Sequence, residues 1–232
     1  MKTIGMLGGM SWESTALYYR LANERVRERR GGFHSAPLLL DSVDFAEIEE
    51  LQRRDDWAAA GELLAERARR LESIGAELLL ICTNTMHLVI DRIEDAVGIP
   101  VLHIADAVGE AITADGLTRV GLLGTAFTME QPFYRDRIGA HGIDVLVPDE
   151  AERAAVHRII YDELVQGIVT DASRKVLSGI VGGLVDRGAQ GIVLGCTEIE
   201  LLVTAADSPV PVFPSAALHI HAAVEAALAA DA

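Results

Sequence analysis

The sequence predicts an α/β protein built as two pseudo-symmetric parallel-sheet (βα) domains with the active site in the cleft between them. Three observations carry this. Short apolar runs alternate with longer segments of helical periodicity, which is the pattern of βαβ units feeding a parallel sheet. The pattern occurs twice, the second half echoing the first in order and spacing. Each half also places a Cys-Thr dipeptide, Cys82-Thr83 and Cys196-Thr197, directly after an apolar run.

Strands are expected over 3–7, 37–42, 77–81, 101–104, 119–123, 144–146, 191–194 and 210–213. Helices are expected over 12–30, 57–73, 87–97, 104–114, 130–141, 150–166, 172–187 and 216–229, with Gly75, Gly98, Gly142 and Gly188 as their C-terminal caps. Thr3-Ile4-Gly5-Met6-Leu7-Gly8 pairs with Arg119-Val120-Gly121-Leu122-Leu123-Gly124. The run from Gly75 to Thr83 pairs with that from Gly188 to Thr197, with one extra residue, and Pro100-Val101-Leu102 pairs with Pro211-Val212-Phe213. Matches in the same order at nearly equal spacing indicate a duplicated unit. The expected domains are 1–104 with 212–232, carrying Cys82, and 105–211, carrying Cys196.

The chain of 232 residues is half hydrophobic and has a formal net charge of −15, which disfavours a phosphate backbone or an anionic membrane as partner. The arginine-dense stretch from Arg25 to Arg30 reads as a solvated helix end. No apolar run is long enough to span a bilayer. The N-terminal run is too short and too rich in glycine for a signal peptide, so a cytoplasmic protein is expected. Two distant cysteines suggest neither a disulfide framework nor a metal site.

The chemistry concentrates on those cysteines. Each ends a buried strand, and ligands of α/β sheets bind outside the carboxyl ends of strands. Backbone N–H groups and the helix dipole at a strand-to-helix turn favour negative charge. Each thiol is therefore expected to ionise nearer neutrality than its usual ~8.5, with a carboxylate-binding site beside it. Inverting a carbon centre means removing a proton from one face and adding one to the other, which a thiolate and a thiol across a cleft can do. Cofactor chemistry is not expected: the two lysines, Lys2 and Lys175, do not end strands, where a pyridoxal phosphate Schiff base would form. Neither a Gly-x-Gly-x-x-Gly nor a Walker loop is present. The Gly8-Gly9-Met10-Ser11 turn reads equally as a substrate-approaching loop lined by Met10 or as a plain tight turn. His87 and His103 lie nearest the cysteine strands. His87 could assist Cys82, although a structural role is the better reading.

Leu7-Gly8-Gly9-Met10-Ser11, Cys82-Thr83-Asn84-Thr85-Met86-His87 and Gly195-Cys196-Thr197-Glu198-Ile199 together resemble the aspartate/glutamate racemase family over nearly the whole chain, closest to its bacterial members with broad amino-acid racemase activity. The resemblance implies a two-cysteine mechanism without cofactor or metal, a small amino-acid substrate and often a homodimer. It also implies that Met10, Gln52, Thr83, Asn84, Thr85, Thr197 and Glu198 bind substrate. Two departures matter. Aspartate-specific members carry an arginine near positions 48–52 and a lysine near 165, whereas this chain has Gln52, with Arg53 and Arg54 just beyond, and Val165. Glutamate racemases proper carry a histidine where this chain has Glu198. The expected function is a cofactor-independent amino-acid racemase that accepts neutral or mixed side chains at least as well as aspartate. The alternatives are an aspartate- or glutamate-specific racemase, a related isomerase, decarboxylase or hydantoin racemase on the same scaffold, and a non-catalytic amino-acid-binding protein.

Overall fold

A computed structural model describes residues 1–229. The chain divides into two compact units, Met1–Ile104 together with the chain from His219 on, and Ala105–Leu218. The first unit runs β1 (Ile4–Gly8), α1 (Trp12–Arg30), β2 (Leu38–Ser42), α2 (Phe45–Arg53), α3 (Trp57–Ser73), β3 (Leu78–Ile81), a 3₁₀ turn at Thr85–Val89, α4 (Ile90–Glu94) and β4 (Val101–Leu102). Its strands form one parallel sheet in the order β2-β1-β3-β4.

The chain enters the second unit at the start of α5 (Ile104–Ala114). There follow β5 (Arg119–Gly124), α6 (Ala126–Glu130), α7 (Pro132–Gly139), β6 (Asp144–Leu146), α8 (Glu150–Asp162), a 3₁₀ turn at Leu164–Gln166, α9 (Asp171–Asp186), β7 (Ile192–Gly195), a second 3₁₀ turn at Thr197–Leu201 and β8 (Val212–Pro214). These strands are again all parallel, in the order β6-β5-β7-β8. Helix α10 (Ser215–Leu228) returns the chain to the first unit.

The two sheets have the same strand order, as a duplicated unit requires. The eight expected strands are all present, their ends moved by a residue or two. Even the in-strand glycines serve one purpose. A Cβ on Gly5 would lie 2.5 Å from Leu79 Cδ2, and one on Gly121 would lie 2.9 Å from Ile192 Cδ1 and from Leu184 Cδ1. Both glycines let neighbouring side chains close over the central strands.

Several expectations need correction. β8 pairs with β7, so the segment from 212 to 218 belongs to the second unit and the return falls at His219. Helix α2 was not expected. It is capped by Asp44, whose side chain accepts from the Ala46 N–H, and it buries Ile48 and Gln52. The helix expected over 130–141 is broken because Gln131 precedes Pro132 and adopts an extended conformation (ψ 145°). That over 87–97 is a 3₁₀ turn followed by one short helix ending at Glu94, so Gly98 is not its cap. Gly75, Gly142 and Gly188 do have the positive φ of helix-ending glycines. No helix among the described residues is long and apolar enough to cross a membrane.

The first unit closes around a buried polar cluster where its segments meet. His219 Nε2 lies 2.9 Å from the Leu102 carbonyl oxygen, and His219 Nδ1 lies 2.9 Å from the Tyr18 hydroxyl. A carbonyl only accepts, so Nε2 carries the proton and Nδ1 accepts from Tyr18. His87 packs against His219 and His103, with ring centroids 5.6 and 4.6 Å away. Burial, then the neighbouring His87, lowers His219 from 6.5 to about 3. Burial, then His103, lowers His87 well below its ordinary value. The folded-state values lie below the unfolded ones, so the neutral rings contribute stability that is complete above pH 6.5 and is lost as the pH falls towards 3. Thermal midpoints measured by circular dichroism from pH 7 down to pH 4 should fall, and the fall should be shallower in His219→Gln. Parallel curves for the two proteins would show that His219 is not the titrating group.

Candidate active site

In the first unit Cys82 immediately follows β3, and its backbone N–H continues the sheet by donating to the Leu7 carbonyl at 2.9 Å. The Cys82 carbonyl accepts from the Ser14 hydroxyl at 3.1 Å, which ties the cysteine to the first turn of α1. That turn is built from the glycine loop. Ser11 caps α1, and Thr15 Oγ1 accepts from the Gly9 N–H at 2.9 Å while donating to the Ser11 carbonyl. Gly9 has φ +87°, and a Cβ there would lie 2.1 Å from the Val43 carbonyl oxygen. Only glycine fits between the loop and the chain leaving β2.

Met10, Met86 and Ile48 belong to one buried cluster beside this turn. Gln52, brought inward by α2, is buried there with its Nε2 3.2 Å from Met86 Sδ. Asn84 and Thr85 are buried and Thr83 half-buried in the segment after Cys82. The expected residues Met10, Gln52, Thr83, Asn84 and Thr85 thus all lie on the two loops that leave β1 and β3 or on the helix packed over them. Arg53 and Arg54 do not join them. Both extend to solvent, 62% and 65% exposed, and pair with Glu50.

His87 holds the Cys82 segment rather than serving the thiol. Its Nδ1 lies 2.8 Å from the Thr83 carbonyl, and its Nε2 accepts from the Ile104 N–H at 3.2 Å. One ring nitrogen must donate and the other accept, which fixes a neutral imidazole with neither nitrogen left for Cys82.

In the second unit Cys196 immediately follows β7, the equivalent of β3. The Leu194 carbonyl accepts from the buried Ser215 hydroxyl at 2.7 Å. Cys196 opens the 3₁₀ turn Thr197–Leu201. Its Sγ donates to Glu198 Oε2 at 2.9 Å, and the Thr197 hydroxyl donates to the same oxygen at 2.8 Å. Cys196, Thr197 and Glu198 therefore form one hydrogen-bonded group. The turn carrying Val165 packs against theirs. Glu200, which the sequence reading did not single out, is half-buried, and its Oε1 lacks a hydrogen-bond partner. Burial, and then Glu198, raises it to about 7. Ser14 and Ser215 were also missed, since hydroxyls on helices reaching a distant strand leave no local sequence signal.

The expected lowering of the thiol pKa values is overturned. Burial raises Cys82 far above the usual thiol range. Cys196 is raised by burial first and the Glu198 charge second, while the backbone N–H groups of Glu198 and Ile199 pull the other way. The dipole argument fails because both cysteines lead into short 3₁₀ turns rather than long helices, and desolvation outweighs the N–H groups that are present.

Comparison with known proteins places these features in a family. A model described as Asp/Glu/hydantoin racemase matches residues 7–223. A crystal structure from Yersinia pestis, provisionally described as an Asp/Glu racemase, superposes with a TM-score of 0.93 and 52% identity, covering 98% of this chain and 100% of that one. An aspartate racemase homologue from Pyrococcus horikoshii gives 0.86 and 35%, with the same coverage. A broad specificity amino-acid racemase of Bacillus subtilis is 22% identical over 157 residues, 66% of each chain.

The close approach at Gly9 is testable through stability. Gly9→Ala should cost about 2–3 kcal/mol and lower the thermal midpoint by about 5–10 °C. Gly167→Ala, in the left-handed region at φ +73° with nothing within 4 Å, should cost about 1 kcal/mol. Equal midpoints for the two variants in differential scanning calorimetry would contradict the steric account.

Proposed function

Because the chain belongs to the Asp/Glu/hydantoin racemase family, we propose that it is a cofactor-independent amino-acid racemase in which Cys82 and Cys196 act as an acid/base pair at the α-carbon. The observation that carries the reading is the equivalence of the two cysteines. Each is the first residue beyond the corresponding strand of one of two sheets with the same strand order. One thiolate removes the α-hydrogen and the other thiol delivers a proton to the opposite face. Reversing the direction exchanges their roles. Backbone N–H groups at the loops after β1, β3, β5 and β7 are suited to bind the α-carboxylate. Met10, Gln52, Thr83, Asn84, Thr85, Thr197 and Glu198 line the substrate site in this reading. The lysines are compatible with it, since Lys2 precedes β1 and Lys175 lies exposed on α9.

Burial suits a thiol that must hold its proton until the carbanion forms. It opposes the thiol that must start as a thiolate, so closure of the site around a substrate has to be matched by a proton acceptor.

The proposed substrate class is supported by the residues at two positions. Gln52 and Val165 stand where acidic-specific relatives keep positive charge, and Arg53 and Arg54 turn outward onto Glu50. A side-chain carboxylate buried without a partner costs several kcal/mol, whereas a neutral side chain does not.

Two measurements test the reading. Cys82→Ala and Cys196→Ala should each lose racemisation by about 10²–10⁴-fold. Each variant should still exchange the α-hydrogen of one enantiomer in deuterated water. Near wild-type racemisation by either variant would remove the two-thiol mechanism. In addition, kcat/KM for L-methionine and L-homoserine should equal or exceed that for L-aspartate and L-glutamate. A preference of about a hundredfold for the acidic pair, worth some 2.8 kcal/mol, would overturn the assignment and point to Arg53 or Arg54.

A further inference from the structure

The two cysteine centres match in backbone but not in chemistry. Cys82 has no ionisable side chain hydrogen-bonded to it among the described residues; its segment is held by neutral groups, the Ser14 hydroxyl and the His87 ring. Cys196 has a carboxylate in direct contact. Glu198 Oε2 is 2.9 Å from Sγ, lies two residues along the same five-residue turn, belongs to a side chain only 9% exposed, and accepts a second bond from Thr197.

We propose that Glu198 is a catalytic residue, its carboxylate taking the proton of Cys196 and so generating the thiolate that removes the α-hydrogen. The proposal rests on the racemase reading above.

The proton balance is simple. The S–H bond breaks and an O–H bond forms on Oε2, leaving the charge of the pair unchanged. The new O–H then donates to the thiolate. The thiolate takes the α-hydrogen, and the carbanion takes the proton of the Cys82 thiol. Before the next turnover in the same direction, Cys82 regains a proton from water and the doubly protonated Cys196–Glu198 pair gives one up.

Creating the thiolate this way adds no charge to a desolvated site, which a bare ionisation of Cys196 would do. The Thr197 hydroxyl fixes the acceptor oxygen before the transfer and needs no rearrangement afterwards. The surrounding charges are few. Glu200 shares the turn, and Glu163 begins the neighbouring 3₁₀ turn, where the Ser173 and Thr170 hydroxyls bind it. From α9, Arg174 reaches the Leu201 and Leu202 carbonyls and Asp207. None of these is hydrogen-bonded to the Cys196 sulfur.

A carboxylate that is only a charged neighbour has the opposite effect, since it disfavours the thiolate. The two roles therefore predict opposite signs when Glu198 is neutralised. The test uses the full-length Cys82→Ala protein, in which Cys196 is the sole thiol, and follows its alkylation by iodoacetamide from pH 5 to pH 10. The thiolate is the reactive form. With Glu198 as acceptor, one proton is shared by the pair over a range of pH, so the rate should show a plateau through neutrality. Glu198→Gln should abolish the plateau and slow alkylation at pH 7 by at least about tenfold, while Glu198→Asp should retain a plateau.

An unchanged or faster rate in Glu198→Gln would overturn the proposal. So would the absence of a plateau in the Cys82→Ala protein itself, whatever the folding of the glutamine variant. Because the assay reads a thiol and not turnover, a plateau that depends on Glu198 would stand even if no amino acid were racemised.

Discussion

A thiol removed from water holds its proton, and the two-thiol racemisation proposed for this chain requires one to ionise. That opposition organises the site residues described here. In that proposal, burial keeps water from the carbanion and makes a few fixed donors effective against the substrate carboxylate. The same burial pushes both cysteines above their usual range, so the local structure must supply order without adding charge. The hydroxyls of Ser14, Thr15 and Ser215 do this: each satisfies a backbone group at a strand end or loop with a neutral partner. The imidazole of His87, neutral and bonded at both nitrogens, does the same for the segment after Cys82.

Duplication supplied two scaffolds, and they have diverged in what surrounds the sulfur. At the first centre the segment of the cysteine is held by neutral groups, the Ser14 hydroxyl and the His87 ring. The second carries Glu198 and Glu200 on the turn of the cysteine itself, and burial raises Glu200 into the range where carboxylic acids exchange protons near neutral pH. Thermodynamics limits what such asymmetry can do. The two enantiomers have equal free energy, so kcat/KM must be the same in both directions. A difference between the centres shows only in individual steps, such as exchange without inversion or the protonation state of the resting enzyme.

Much of this was legible in the sequence. The central strands β1, β3, β5 and β7 are buried on both faces and read as plain apolar runs, which is why the repeat exposed the matched cysteines. The helical segments were less legible. Helix α2 is short and starts at Asp44, a cap that is visible only once Phe45, Ile48 and Leu51 are read with a helical period. The break at Gln131 depends on proline geometry, and the 3₁₀ turn over Thr85–Val89 carries Met86 and His87, whose burial the sequence does not show. The pKa directions were misread because the sequence shows the turn and its N–H groups but not the depth of burial. The outward course of Arg53 and Arg54 onto Glu50 was equally hidden, being a choice among rotamers on one exposed helix end.

The route of the chain has a consequence for biosynthesis. The second unit is continuous, from Ala105 to Leu218, and contains every strand of its sheet. The first is interrupted, and its partners for Tyr18, Arg25 and Lys2 are His219, Glu225 and the Ala227 carbonyl, all of which are synthesised after the second unit. A nascent chain can therefore complete the second unit while the first still lacks its closing helix. Throughout that interval Tyr18 and the Leu102 carbonyl have no His219 to bond. Of the two units, the one whose synthesis begins first is the one whose contacts are completed last.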